Sequence, residues 1–328
     1  MMKSADTLLR ATWHSMRHGA AAALAVCGVA MIPVMAGAHD DAQRHTHLTM
    51  TNQPRTAMTW YRDIVYDATY KDPERVSLDI YVPDPVRERM PVVLFVHGGG
   101  FRSSDKSYYK DLGSKPDWLT RDIGAIFVPI NFRFLPDGGY PNSVQDVANA
   151  LAWVHQNIAK YGGDPNRIVL FAHATGILSA GLVATDEQFL TRAGKSLDLL
   201  KGFIGVDGAF FDNTNPGGGV RNVFASTDAA LLRNGSPIHQ ITAGKRIPPA
   251  LILYGGQGGA VGPQSEAFAA AMRDKGFKAT AIEMYSKDHF TVNEDIGVPG
   301  DETTIAVTRF LQEIGAAAKP VSQGNAAR

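Results

Sequence analysis

The stretch Arg167-Ile168-Val169-Leu170-Phe171-Ala172-His173-Ala174-Thr175-Gly176 decides how the rest of the chain is read. Its apolar run, 168–171, fits a strand buried on both faces. The run enters small residues and a glycine, which permit a sharp turn and a close approach of the strand to a following helix. Just upstream, Gly162-Gly163-Asp164-Pro165 ends an apolar stripe at Val144, Val147, Ala148, Leu151 and Val154, whose spacing predicts a helix over 143–161.

Working outward, strands and helices alternate from about Asp63 on. Residues 76–82 alternate like an early, partly exposed strand, and 91–96 are apolar throughout, as a doubly buried strand should be. Further strands are predicted at 125–132, 202–206, 250–254 and 280–285, with helices at 264–275 and 303–314. The expected class is α/β: one domain with a mostly parallel central sheet of about eight strands and helices on both faces. Residues 212–237, carrying Pro216-Gly217-Gly218-Gly219, are expected to form a loop or a small cap over the strand ends.

At 328 residues with 45% hydrophobic and 20% charged content, the chain has room for one large globular domain. Its formal net charge is zero and it has no basic or acidic block, so neither nucleic acid nor anionic lipid is an expected partner. Oligomeric state is not legible. The N-terminus departs from the rest. Lys3, Arg10 and Arg17 precede an apolar run over 19–36 that ends in Ala36-Gly37-Ala38, the layout of a secretory signal cleaved after Ala38. An uncleaved anchor is the competing reading, since the run approaches spanning length. Cleavage would leave no membrane span and a periplasmic or secreted protein. It would also remove Cys27, the only cysteine, and with it any disulfide or thiol nucleophile. His39, His45 and His47 lie among Asp40 and Asp41, where a metal could bind, although a solvated leader needs no metal. The expected divisions are thus a signal at 1–38, a mobile leader at 39–62, the main domain at 63–315 and a disordered tail at 316–328.

His97-Gly98-Gly99-Gly100 directly follows the strand at 91–96. Glycines there let backbone N–H groups approach an anionic oxygen, so Gly99 and Gly100 are candidate oxyanion donors, with His97 structural. Together with 162–167 and the turn at 172–176, this motif resembles the hormone-sensitive-lipase-like carboxylesterases of the α/β-hydrolase superfamily. The small bacterial esterase and arylformamidase-like branch is the nearer likeness, through Tyr140-Pro141, Asp146, Trp153, Ser236-Pro237-Ile238, Gly255 and Asp288-His289-Phe290. The resemblance runs from about Asp63 to Ile314. It implies cofactor-free cleavage of small esters or N-formyl amides by a Ser–Asp–His triad, with no metal.

Carried onto this chain, the resemblance places the nucleophile elbow, normally G-x-S-x-G, on Ala172-His173-Ala174-Thr175-Gly176. The nucleophile falls on Ala174, whose methyl group cannot attack a carbonyl. The acid, in a stretch the family writes roughly H-G-x-x-D, falls on Gly258. The base survives as His289. Asp207, after the strand at 202–206, is the candidate replacement acid, or else caps a turn. Thr175 is expected to turn its side chain away from the oxyanion site, and Asp288 to face elsewhere. Three functions follow from these readings: a pseudoenzyme retaining a pocket for an ester, amide or carboxylate, a weak hydrolase in which His289 activates water, or a structural or partner-binding role for the scaffold's surface.

Overall fold

A computed structural model describes residues 58–317 apart from Pro216 and Gln257. Eight strands form one sheet: β1 (Met58–Val65), β2 (Ser77–Pro83), β3 (Met90–Val96), β4 (Ile126–Ile130), β5 (Gly163–His173), β6 (Leu200–Val206), β7 (Ala250–Gly255) and β8 (Ala279–Met284). Their order across the sheet is β1-β2-β4-β3-β5-β6-β7-β8. β2 runs antiparallel to β1 and β4, and every other neighbouring pair is parallel. The elements all lie in one compact unit, Arg55–Arg328.

The main helices are α1 (Asn142–Asn157), α2 (Gly176–Thr185), α3 (Glu187–Arg192), α4 (Gly218–Phe224), α5 (Ala229–Asn234), α6 (Val261–Asp274) and α7 (Glu302–Glu313). Period-two side-chain direction divides the core into two layers. Along β5, Ile168, Leu170 and Ala172 join one apolar cluster with Val147 of α1, Leu178 of α2 and Phe268 of α6. Val169 and Phe171 point the other way, into a cluster with Val307 and Leu311 of α7. Both faces of the strand are therefore covered, which is why its sequence is apolar without alternation. α2 is buried along its whole length, in keeping with a sequence that is apolar all round apart from Ser179 and Thr185. No helix of the described residues is long and apolar enough to cross a membrane.

The structure corrects several boundaries. β1 begins at Met58, inside the expected leader, and Ala316 is buried, with its N–H bonded to Leu311, inside the expected tail. β1 is an exposed edge strand, so neither face leaves an apolar period in the sequence. β2 is buried, not partly exposed: its Asp79 is enclosed by Lys106 Nζ at 3.2 Å, the Trp60 indole N–H at 3.1 Å and the Asp63 backbone N–H at 2.9 Å. Residues 212–237 carry α4 and α5, and the Tyr140 N–H donates to the Val223 carbonyl, tying α4 to the loop before α1. The expected signal and its Cys27, the histidine-rich leader and most of the expected tail lie outside the described residues.

Chain order reverses around β3, with β4 on one side and β5 on the other. In such sheets ligands bind in the crevice beyond the carboxyl ends of the strands at this switch. The turns after β3 and β5 meet there closely. A Cβ on Gly176 would lie 2.7 Å from both the Val96 and His97 carbonyl oxygens. Gly176→Ala is therefore expected to cost about 1–3 kcal/mol or more through overpacking, read as a lower urea midpoint with an unchanged slope. An unchanged midpoint contradicts the close packing.

Candidate active site

β5 ends at His173, and Ala174 takes φ = 52° before α2 begins. That left-handed turn costs an L-residue about 1–2 kcal/mol and is held by the surrounding contacts. The Ala174 N–H donates to the Val206 carbonyl at 2.8 Å, and its own carbonyl oxygen would lie 2.3 Å from a Cβ on Gly208. The elbow is fully formed, with a methyl group at its apex.

The carboxylate paired with His289 is Asp207, immediately after β6. Its Oδ2 accepts a 2.6 Å hydrogen bond from His289 Nδ1, and its Oδ1 accepts the Gly255 N–H at 2.7 Å. Gly258, the position the resemblance assigns to the lost acid, supplies no carboxylate. It lies exposed in the loop after β7 at φ = 80°, and a Cβ there would meet nothing within 4 Å. The end of β7 serves the acid through a backbone N–H instead. Gly255 also admits the base, because a Cβ there would sit 2.7 Å from the Lys287 carbonyl oxygen in the loop that carries His289.

His289 follows β8 with its side chain 45% exposed. The hydrogen bond to Asp207 raises its pKa above the ordinary 6.5, against the opposing effect of burial. With Nδ1–H pledged to the carboxylate, Nε2 is the atom left for proton transfer. Asp288 faces elsewhere: its Oδ1 accepts from the backbone N–H groups of Phe290 and Thr291 and from the Thr291 hydroxyl, capping the next turn.

On the oxyanion side, Gly99 and Gly100 adopt φ = 95° and 66°. A Cβ on Gly99 would collide with the Ser103 carbonyl oxygen at 2.1 Å, whereas one on Gly100 would meet open space. His97 is buried behind them. It stacks on Phe132 at 4.7 Å, and Nδ1–H donates to the Gly98 carbonyl at 2.8 Å, while burial lowers its pKa. Thr175 differs from expectation. Its Oγ1 accepts the Gly100 N–H at 3.1 Å instead of turning away. The reason is local: Thr175 has helical φ and ψ of −65° and −22°, and helical side chains tilt toward the N-terminus, here toward the loop after β3.

A second histidine–aspartate pair flanks the first. The His173 ring lies 5.0 Å from that of His289, and its Nε2–H donates to the His289 carbonyl at 3.1 Å. Its Nδ1 stands 3.7 Å from Asp111 Oδ1, beyond hydrogen-bond range. Burial opposes ionisation of Asp111, but its histidine neighbour and the Ser104 hydroxyl hold its pKa below the ordinary carboxyl value. His173 was present in the elbow sequence, whereas Asp111 has no sequence signal that links it to the site. Among the described residues, no three or more His, Cys, Asp or Glu side chains are grouped to hold a metal ion. A cavity of about 270 Å³ opens beside the oxyanion loop, between Arg102, Tyr140 and Phe224.

Sheet order and elbow define the class of fold: the chain has the α/β-hydrolase fold, and it is similar to the hormone-sensitive-lipase-like, carboxylesterase-like branch. The BD-FAE family model matches residues 78–199. A probable isoprenylcysteine alpha-carbonyl methylesterase of Oryza sativa subsp. japonica is 27% identical over 250 residues, covering 70% of this chain and 59% of that protein. Carboxylesterase NlhH of Mycobacterium tuberculosis is 34% identical over 117 residues, covering 35% of this chain and 34% of the relative. The chain thus spans about half to three-fifths of the methylesterases it matches, between 49% and 59% of their length. Among solved structures, a hyperthermophilic esterase of the archaeon Pyrobaculum calidifontis superposes with a TM-score of 0.63 at 22% identity, over 84% of this chain and 92% of its own. A truncated carbohydrate esterase from gut microbiota gives 0.63 at 18% identity, over 79% and 97%. These likenesses establish the fold.

Because folding raises the His289 pKa, the folded chain holds that proton more tightly than the unfolded one. The pair therefore adds stability below pH 6.5 that fades as pH rises through the higher folded value. Asp207→Asn is expected to lower the His289 titration midpoint seen by NMR and to narrow the stability gap between mild acid and alkaline pH. A midpoint unmoved by the substitution contradicts the assignment of Asp207 as acid.

Proposed function

We propose that this carboxylesterase-like chain is a pseudoenzyme. It binds a small ester, amide or carboxylate beyond the carboxyl ends of the strands and has lost the covalent acyl-enzyme route. One observation carries this reading: a methyl group, Ala174, occupies the apex of an otherwise intact elbow beside a formed His289–Asp207 dyad. In serine proteases, removing the nucleophile costs on the order of 10⁶ in turnover, while oxyanion and binding interactions alone leave about 10³–10⁴ over water. Trace hydrolysis is compatible with the proposal; efficient hydrolysis is not.

A second reading is favoured by the 2.6 Å bond between His289 and Asp207, which keeps a general base in working form. Its Nε2 would take a proton from water as the water attacks the carbonyl, then pass that proton to the leaving group. We further infer that the chain is exported, with cleavage after Ala38 and a periplasmic or secreted mature protein. The support is the basic, apolar and small-residue order of the first 38 residues.

Kinetics with p-nitrophenyl butyrate separate the readings. The unmodified chain is expected to stay below about 1 s⁻¹, the low end of ordinary turnover, and Ala174→Ser to raise the rate by about 10³-fold or more. Adding Asp207→Asn should remove about 10²–10⁴ of that gain, whereas adding Gly258→Asp should bring nothing. Turnover above about 1 s⁻¹ by the unmodified chain, lost in His289→Ala, contradicts the pseudoenzyme reading and supports the water route.

A further inference from the structure

The loss at Ala174 is accompanied by a change in the donors beside it. An esterase needs its oxyanion-loop N–H groups free, aimed at the oxygen on which charge develops. Here the Gly100 N–H is already engaged by Thr175 Oγ1 at 3.1 Å. A hydroxyl that accepts such a bond still has its own proton to give, and hydrogen-bond chains polarise each successive donor. Thr175 is half-buried, Gly100 is exposed, and the hydrogen bond between them is solvent-exposed, so a ligand oxygen has access to this hydroxyl. On the other side, His289 Nδ1–H is bound to Asp207, and its Nε2 donates when the ring is protonated. The Ala174 methyl, 7% exposed, supplies an apolar floor with nothing to react.

We propose that the former catalytic centre is a carboxylate-binding site whose leading donor is the Thr175 hydroxyl, backed by the Gly100 N–H, with His289 as the second donor. The assignment rests on the binding reading above and adds the ligand class and the residue that selects it. With the His289 ring protonated, a carboxylate offers two charged oxygens to two separate donors, whereas a neutral amide of the same shape offers them a single carbonyl oxygen. Hydrogen bonds with a charged partner are also about twice as strong as neutral ones.

Isothermal titration of the mature chain with sodium butyrate and with butyramide tests the proposal. Butyrate is expected to bind at least about 10-fold tighter than butyramide. Thr175→Val keeps the side-chain volume without the hydroxyl and should weaken butyrate by about 10-fold or more, while Thr175→Ser should stay within about three-fold. Equal affinity for acid and amide overturns the proposal, as does a Val variant that binds like the unmodified chain. No heat with butyrate up to about 10 mM, weaker than any useful site, does so too. The acid–amide comparison needs no variant, so it stands even where Thr175→Val does not fold. Its failure is distinct from failure of the pseudoenzyme reading, which is decided by hydrolysis and by Ala174→Ser.

Discussion

The left-handed backbone at Ala174 is the constraint on which the site depends. It forces β5 to turn abruptly into α2, and the turn persists because glycines on both sides let other backbone segments close over it. Gly176 packs against the carbonyls of Val96 and His97, Gly208 against the Ala174 carbonyl, and a Cβ on Gly98 would stand 2.9 Å from that of Ala174. These contacts position the oxyanion loop, the start of α2 and the end of β6 relative to one another. A strain of about 1–2 kcal/mol is thereby maintained at a residue that has no hydroxyl to present.

The histidine–carboxylate pair is held by independent means. Asp207 follows β6, accepts the N–H of Gly255 at the end of β7 on one oxygen and the Nδ1–H of His289 on the other. The loop bearing His289 is in turn anchored by Lys115, a fully buried lysine whose Nζ donates to the Asn293 carbonyl at 2.7 Å and the Asp111 carbonyl at 3.0 Å. Base and acid are therefore ordered by the scaffold and not by a nucleophile. This makes the centre chemically specific: a proton-carrying ring, a polarised hydroxyl and a methyl group share one crevice. Such a set suits recognition of an oxygen-rich group better than covalent attack on one.

Much of the fold was legible because doubly buried strands write themselves as apolar runs, as in 91–96 and 168–171. β1 was not legible, because an exposed edge strand has no buried face to impose a period, and Asp79 misled because its charge is satisfied by Lys106 and Trp60 out of sequence range. In the site, Ala174 and His289 could be located from motif order alone. The choice between Asp207 and Gly258 could not, since it depends on which of two neighbouring strand ends faces the His289 ring. Thr175 was misjudged because its direction follows from the helix that starts there, and Asp111 reaches His173 only through tertiary packing.

The central claim is that the hydroxyl missing at Ala174 bars this crevice from covalent esterase chemistry while the elbow backbone and the His289–Asp207 pair stand. Intact-mass measurement after exposure to a fluorophosphonate, which reacts with an activated serine, tests it directly. The unmodified chain should show no adduct, and Ala174→Ser should gain a single one at residue 174 that is lost again with His289→Ala. An adduct on the unmodified chain, or an inert Ala174→Ser protein that is correctly folded, would contradict the account.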